Sequence, residues 1–267
     1  MEITGKVVVV TGGGNGIGRE VVLELLRRGA RVAAVDLRPE ALEATVALAS
    51  AGERLTTHAV DVSDRAGVEA LAADVLAAHG HVDAVANVAG IIQKFVPFHD
   101  LDLPQMEKVL DVNFWGVVHV TKAFLPHLLA RPEASLVNVS SMGALVPVPG
   151  QSLYGASKAA VKLLTEGLQA ELRDTSVAVT VVFPGAVGTG IADHSGASLP
   201  GRDSSTSAAA ARMTSAPDAA RQVVDAMAAG TPRLRIGSDA KMLDRLSRLA
   251  PTRAIELVAR KMADLLG

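Results

Sequence analysis

The chain has 267 residues, 49% hydrophobic and 20% charged, with a net charge of −2, no cysteine, one tryptophan and one tyrosine. Zero cysteine excludes a disulfide framework, a thiolate metal site and a cysteine nucleophile, and the balanced charge gives no basic field toward nucleic acid or anionic lipid. Mean hydropathy is high at +0.31, yet no stretch offers the roughly 18 uncharged apolar residues of a membrane span. The start, Met1-Glu2-Ile3-Thr4-Gly5-Lys6, lacks the basic and apolar regions of a signal peptide, so the expected location is the cytoplasm.

The first apolar run, 6–10, predicts a strand that enters Thr11-Gly12-Gly13-Gly14-Asn15-Gly16-Ile17-Gly18, with a helix over 17–28. Glycines at a strand-to-helix turn allow close backbone approach, and the free N–H groups of a helix start suit a pyrophosphate. The spacing is G-x-x-x-G-x-G, and a structural tight turn is the bland alternative. A second strand, 31–35, ends at Asp36-Leu37. An acid at that place accepts hydrogen bonds from an adenosine ribose and repels a 2′-phosphate. This favours NAD over NADP, with Arg38 partly offsetting the repulsion; a helix-capping role for Asp36 is the alternative.

Further strands are predicted over 55–60, 83–86, 135–139, 177–183 and 234–236, and helices over 40–51, 65–78, 104–129, 152–173 and 217–229. Several of the strands are nearly all apolar, as when both faces are covered. Their alternation with helices predicts an α/β fold: one Rossmann-type, doubly wound parallel sheet of about seven strands in one domain, 1–267. His79 and His81 flank Gly80 without a third ligand and read as solvent-exposed, so no metal site is expected. Residues 188–216, rich in Gly, Ala and Ser, interrupt the pattern and read as a lid over the substrate. From 238 on, two short helices parted by Pro251 form an extension, with Met242, Leu243, Leu246 and Leu249 as an apolar stripe and Arg245, Arg248, Arg253 and Arg260 as a solvated face.

The sole tyrosine stands in Tyr154-Gly155-Ala156-Ser157-Lys158. Residues four apart share a helix face, so Lys158 lies beside Tyr154 and is expected to lower its pKa toward that of a general acid or base. Taken alone, the pair also fits a partly buried tyrosine next to a surface lysine. Upstream, Ser140-Ser141 ends a strand, where a hydroxyl points into the ligand crevice of a doubly wound sheet. Gln93, Phe95 and Gln151 follow strand ends or precede the Tyr154 helix and are expected to line a substrate pocket, with His194 in the lid.

Thr11-Gly12-x-x-x-Gly16-x-Gly18, Asp61-Val62, Asn87-Val88-Ala89-Gly90, Asn113, Ser140-Ser141, Tyr154-x-x-x-Lys158 and Pro184-Gly185-x-Val187-x-Thr189 occur in one order from residue 7 to about 190. As an ordered set they resemble the short-chain dehydrogenase/reductase family. The resemblance implies a catalytic tetrad of Asn113, Ser141, Tyr154 and Lys158, with Asn113 supporting a water beside Lys158. It implies cofactor contacts from Gly12, Asn15, Gly16, Ile17, Gly18, Asp36, Leu37, Asp61, Val62, Asn87, Ala89, Gly90, Tyr154, Lys158, Pro184, Gly185, Val187 and Thr189. Val88 departs from a second asparagine common in the family, which implies a packing adjustment. The expected activity is NAD-dependent interconversion of a secondary alcohol and a ketone, with Ser141 and Tyr154 meeting the substrate. A 3-oxoacyl-thioester reductase is the alternative, and a non-catalytic NAD-sensing scaffold the alternative of another class. A homo-oligomer, tetramer or dimer, is expected through the long helices 104–129 and 152–173.

Overall fold

A computed structural model describes residues 1–191, 195–197 and 213–263. The strands β1 Val7–Thr11, β2 Arg31–Asp36, β3 Leu55–Ala59, β4 Ala84–Asn87, β5 Ala134–Val139 and β6 Val177–Pro184 are joined by a later strand, β9 Arg233–Ile236. They form one seven-stranded sheet in the order β3-β2-β1-β4-β5-β6-β9, and every neighbouring pair is parallel. Two short strands, β7 Val187–Gly188 and β8 Thr214–Ser215, pair separately.

The four valines of β1 explain the layering. Side chains alternate across a strand, so Val8 and Val10 enter one core and Val7 and Val9 the other. The first core is closed by α1 (Gly16–Arg27), α2 (Pro39–Ala49) and α7 (Ala216–Ala229), through Val22, Leu25, Leu42, Val223 and Met227. The second is closed by α3 (Arg65–His79), α5 (Gly116–Leu129) and α6 (Ser152–Glu171), through Leu71, Val75, Val120, Phe124 and Leu168. Each fully buried valine or leucine contributes about 1.5–3 kcal/mol, and the few polar side chains of the inner strands, among them Asn87, Asn138 and Thr180, are buried as well. The chain order reverses between β1 and β4, and in such sheets the ligand crevice opens there, outside the strands' C-terminal ends.

Three expectations need correction. The helix over 104–129 is interrupted: α4 (Leu103–Leu110) passes through a π-helical turn, Asp111–Trp115, into α5. The apolar period runs through the wider turn, so periodicity does not reveal it. His79 is not exposed; it is 4% accessible because the end of α3 packs under β3. Its Nε2 lies 2.9 Å from Thr56 Oγ1, and burial lowers its pKa. The C-terminal stripe is only half used: Leu243 is buried and Leu246 packs beside it, while Met242 and Leu249 stay exposed.

Pro251 does part the last helices, α8 (Ser238–Leu249) and α9 (Pro251–Lys261). Leu243, Ala254 and Val258 form a third apolar cluster with Val146, joined by Met142, Leu145 and Val148 from the segment after Ser141. Among the described residues no helix is long and apolar enough to cross a membrane, and no group of three or more metal-ligating side chains occurs.

Candidate active site

The glycine-rich turn is shaped by what touches it. Gly12 has φ +70°, and a Cβ there would lie 2.9 Å from Ala89 N, so the turn rests against the end of β4. A Cβ on Gly18 would fall 2.1 Å from Gly12 O, which makes α1 start directly on the turn. Gly16 has φ +52° and faces Thr189, which brings the segment after β6 over the same turn. Asn15 precedes α1 without a side-chain cap. The first N–H groups of a helix have no intrahelical partner, so those around Ile17 and Gly18 are open to an anion. Thr11 Oγ1 accepts from Val88 N and Ala89 N at 3.1 and 3.2 Å, holding β4's exit beside the turn.

Asp36 ends β2 half-buried. Its carboxylate accepts from Gly14 N at 3.0 Å and Arg38 N at 3.1 Å. It therefore braces the glycine turn, and Leu37 beside it is 62% exposed. Asp61 Oδ1 accepts from Ser63 N and Ser63 Oγ at 2.9 and 2.6 Å. Val62 packs where Gly116 has no Cβ.

Asn87, expected beside a cofactor ribose, turns its side chain into the protein. Its Nδ2 donates to Asn138 Oδ1 at 2.9 Å and Thr121 Oγ1 at 3.3 Å, and it is 2% exposed. The pair bridges the C-terminal ends of β4 and β5, while Asn87 Oδ1 is buried without a partner among the described residues. Val88 packs on the first core, in line with a packing adjustment.

Asn113 sits fully buried in the π turn. Its Oδ1 accepts from Ile91 N at 2.8 Å, and its Nδ2 donates to Ile91 O at 2.9 Å and Ser157 Oγ at 3.0 Å. A Cβ on Gly90 would lie 3.0 Å from Lys158 Nζ and 3.2 Å from Asn113 Oδ1, so glycine lets both groups converge there.

Ser141 leaves β5 with its Oγ accepting from Gly143 N at 3.1 Å. That fixes the oxygen and leaves its hydrogen to donate. A Cβ on Gly143 would lie 3.5 Å from both Ser141 Oγ and the Tyr154 ring. Tyr154 occupies the first turn of α6, and Lys158 follows one turn later. The lysine is not on the surface: it is 3% exposed, and its Nζ donates to Val139 O at 3.1 Å. Burial pulls its pKa down to about 8. Burial pushes the Tyr154 phenol above its ordinary value, opposed by a hydrogen bond with Ser141. The expected depression of Tyr154 by Lys158 is thus overruled by desolvation in the bare protein. Ser140 ties strand to helix, donating to Lys158 O at 2.7 Å.

Gln93 and Gln151 do not line a pocket. Gln93 is fully buried, and both ends of its amide are engaged within the protein. Gln151, 4% exposed, donates to Gln93 O at 2.8 Å. Both are drawn inward because the loop after β4 and the start of α6 pack together. Phe95 is half-buried. His194 and most of 188–216 lie outside the described residues, but Val187 pairs with Thr214 and Gly188 with Ser215, which brings the two ends of that segment together. Ser195 Oγ accepts from Ile92 N at 3.1 Å.

One residue here carries no motif in the sequence. Asp239 accepts from Ala186 N at 2.7 Å and Ala240 N at 2.9 Å, and its Oδ1 fills the space left by the missing Cβ atoms of Gly185 and Gly237. It pins Pro184-Gly185 to α8. Its only trace in the sequence is Gly237-Ser238-Asp239 at a strand end.

This site can be set against known proteins. The family model for the short chain dehydrogenases matches residues 6–199, most of the chain. The chain belongs to the short-chain dehydrogenase/reductase family. It is an oxidoreductase of that family. It is 38% identical over 97% of its length to SadH of Mycobacterium tuberculosis, covering 96% of that protein, whose name classes it provisionally as an oxidoreductase. It is 38% identical to the 1-deoxy-11-beta-hydroxypentalenate dehydrogenase of Streptomyces avermitilis, over 71% of both chains. A short-chain dehydrogenase/reductase from Burkholderia phymatum, solved with NAD, superposes with a TM-score of 0.83 at 28% identity over 96% of this chain and 97% of that one. A short-chain dehydrogenase from Burkholderia cenocepacia, solved with NADP, superposes at 0.78 with 25% identity over 98% and 99%.

Proposed function

We propose that this short-chain dehydrogenase/reductase interconverts a secondary alcohol and a ketone with NAD(H), using Tyr154 as general acid and base. One observation carries the reading: Lys158 is buried with no carboxylate partner among the described residues, beside Gly90 and Asn113 and one helical turn from Tyr154, which Ser141 meets across Gly143. A fold has no use for an uncompensated buried ammonium, since its desolvation costs several kcal/mol.

The dinucleotide fits the chain's own features. The uncapped start of α1, the cradle at Gly12 and Gly16, and the exits of β4 and β6 lie along one crevice. Gly12, Asn15, Gly16, Ile17 and Gly18 would hold the pyrophosphate. Asp36, Leu37, Asp61 and Val62 would meet the adenosine half. Ala89, Gly90, Lys158, Pro184, Gly185, Val187 and Thr189 would meet the nicotinamide half. Asp36 favours NAD because a carboxylate at the end of β2 accepts from ribose hydroxyls and repels a 2′-phosphate. When bound, the nicotinamide supplies or accepts the hydride.

The side chains manage the proton. In oxidation Tyr154 Oη takes the proton of the substrate hydroxyl; in reduction it returns one to the carbonyl oxygen. Ser141, its oxygen fixed by Gly143 N, donates to the same substrate oxygen and stabilises negative charge there. Lys158 is protonated below about pH 8, and its charge stabilises the phenolate that burial alone disfavours. Asn113 fixes the backbone beside it. The segment after Ser141 carries Met142, Leu145 and Val148, packed on the C-terminal helices, and this apolar surrounding suits an apolar alcohol or ketone. Exposed Trp115, Leu129 and Leu163 on the long helices suit a homo-oligomer.

A panel of secondary alcohols, sterols, sugars and acyl thioesters with NAD and NADP in parallel tests this. NAD-linked turnover of an alcohol or ketone supports it. Turnover confined to acyl thioesters with NADP favours the thioester reductase, and NAD binding without turnover favours the scaffold.

A further inference from the structure

The residue just before α6, Gln151, makes no side-chain cap to that helix. The N–H groups of the second and third helical residues, which a local cap ordinarily takes, are those of Leu153 and Tyr154. They are taken instead by a residue some sixty positions upstream: Gln93 Oε1 accepts from Leu153 N at 2.8 Å and from Tyr154 N at 3.0 Å. The other end of the same amide, Nε2, donates to Gly150 O at 3.0 Å, and Gln151 Nε2 donates back to Gln93 O at 2.8 Å. The loop carrying Gln93 is itself fixed, since Asn113 holds Ile91 by both N–H and carbonyl.

We propose that Gln93 is the positioning residue for Tyr154: a remote cap that sets the height and direction of the tyrosine-bearing turn relative to Ser141 and the Asn113 clamp. A neutral amide suits this place. Its acceptor end meets two orphan helix donors and its donor end meets the carbonyl just before them, so no buried polar atom of the side chain is left over. An aliphatic side chain of equal length would leave two N–H groups and one carbonyl without partners in a buried place. The turn would then be free to shift, and Tyr154 with it. The consequence for rate rests on the proposed role of Tyr154; the placement of the phenol does not.

Gln93→Met tests this, because it keeps length and removes both polar ends. Tyr154 is the sole tyrosine, so an ultraviolet difference titration reports on it alone and needs no substrate. In folded Gln93→Met, checked by Trp115 fluorescence, the midpoint should fall from its raised value toward the ordinary 10, as the loosened phenol regains water. On a turned-over substrate kcat should fall about 10- to 100-fold, the scale of a 1 Å misplacement, while KM for NAD changes little. An unchanged midpoint in the folded variant overturns the proposal, whatever the turnover. If the variant does not fold, amide exchange in the unaltered protein decides: protection of the Leu153 and Tyr154 amides comparable to the middle of α6 supports it, and the fast exchange of an uncapped helix start overturns it.

Discussion

The two ends of the sheet treat a buried charge in opposite ways. At the N-terminal end Asp83 is wholly buried and fully answered. It accepts from Val7 N at 2.9 Å and pairs with Arg131 at 2.9 Å, His81 at 3.1 Å and Lys6 at 4.0 Å. At the C-terminal end Lys158 is almost as deeply buried and, among the described residues, is answered only by the carbonyl of Val139. Asp244, on α8, follows the first pattern, with Arg233, Arg235 and Arg248 around it. A charge compensated from several sides holds elements together. A charge left uncompensated costs stability and is available to a group that becomes negative during a reaction.

The sharpest break of this contrast is at the phenol beside Lys158. Tyr154→Phe should lower turnover by about 10²–10⁴, the usual share of a general acid or base, with NAD affinity nearly unchanged in a fluorescence titration. The next is at the other end. Asp83→Ala should destabilise the fold by about 3–5 kcal/mol, as when one partner of a buried ion pair is removed, read in denaturant unfolding; surviving folded enzyme should keep its kcat. The smallest effect lies between them, at the half-buried Asp36. Asp36→Asn removes the charge and one of the two acceptors that hold Gly14 N and Arg38 N, and a repulsion on the order of 1–4 kcal/mol predicts that KM for NADP falls roughly tenfold or more relative to that for NAD.

The sequence shows the sheet clearly because its signal is local. Four consecutive valines in β1 and the apolar β5 announce strands covered on both faces, and the ordered glycine, serine and tyrosine motifs place the site at their C-terminal ends. What it hides is non-local. The π turn at Asn113 leaves the apolar period intact, so nothing in 104–129 marks it. The inward turn of Asn87 depends on Asn138, and that of Gln93 on the start of α6, both many residues away. The depth of Lys158 is equally invisible: four-residue spacing places it beside Tyr154 but does not say that β5 covers it. Asp239 acts through two glycines that follow different strands, a fit that only the folded chain assembles.

The most direct test of the contrast is Lys158→Met, with unfolding free energy and NAD-linked turnover measured on the same preparation. The folded lysine has its pKa lowered from 10.5 to about 8, so the unfolded chain binds the extra proton between those values. The burial penalty is therefore absent above about pH 10.5, grows as pH falls, and is complete below about pH 8, on the order of 3 kcal/mol. At pH 7 the methionine variant should be more stable than the parent by about that amount, the gain should vanish above pH 10.5, and turnover should fall at least about a hundredfold. A variant less stable at pH 7, or one that retains the parent's turnover, would contradict the account.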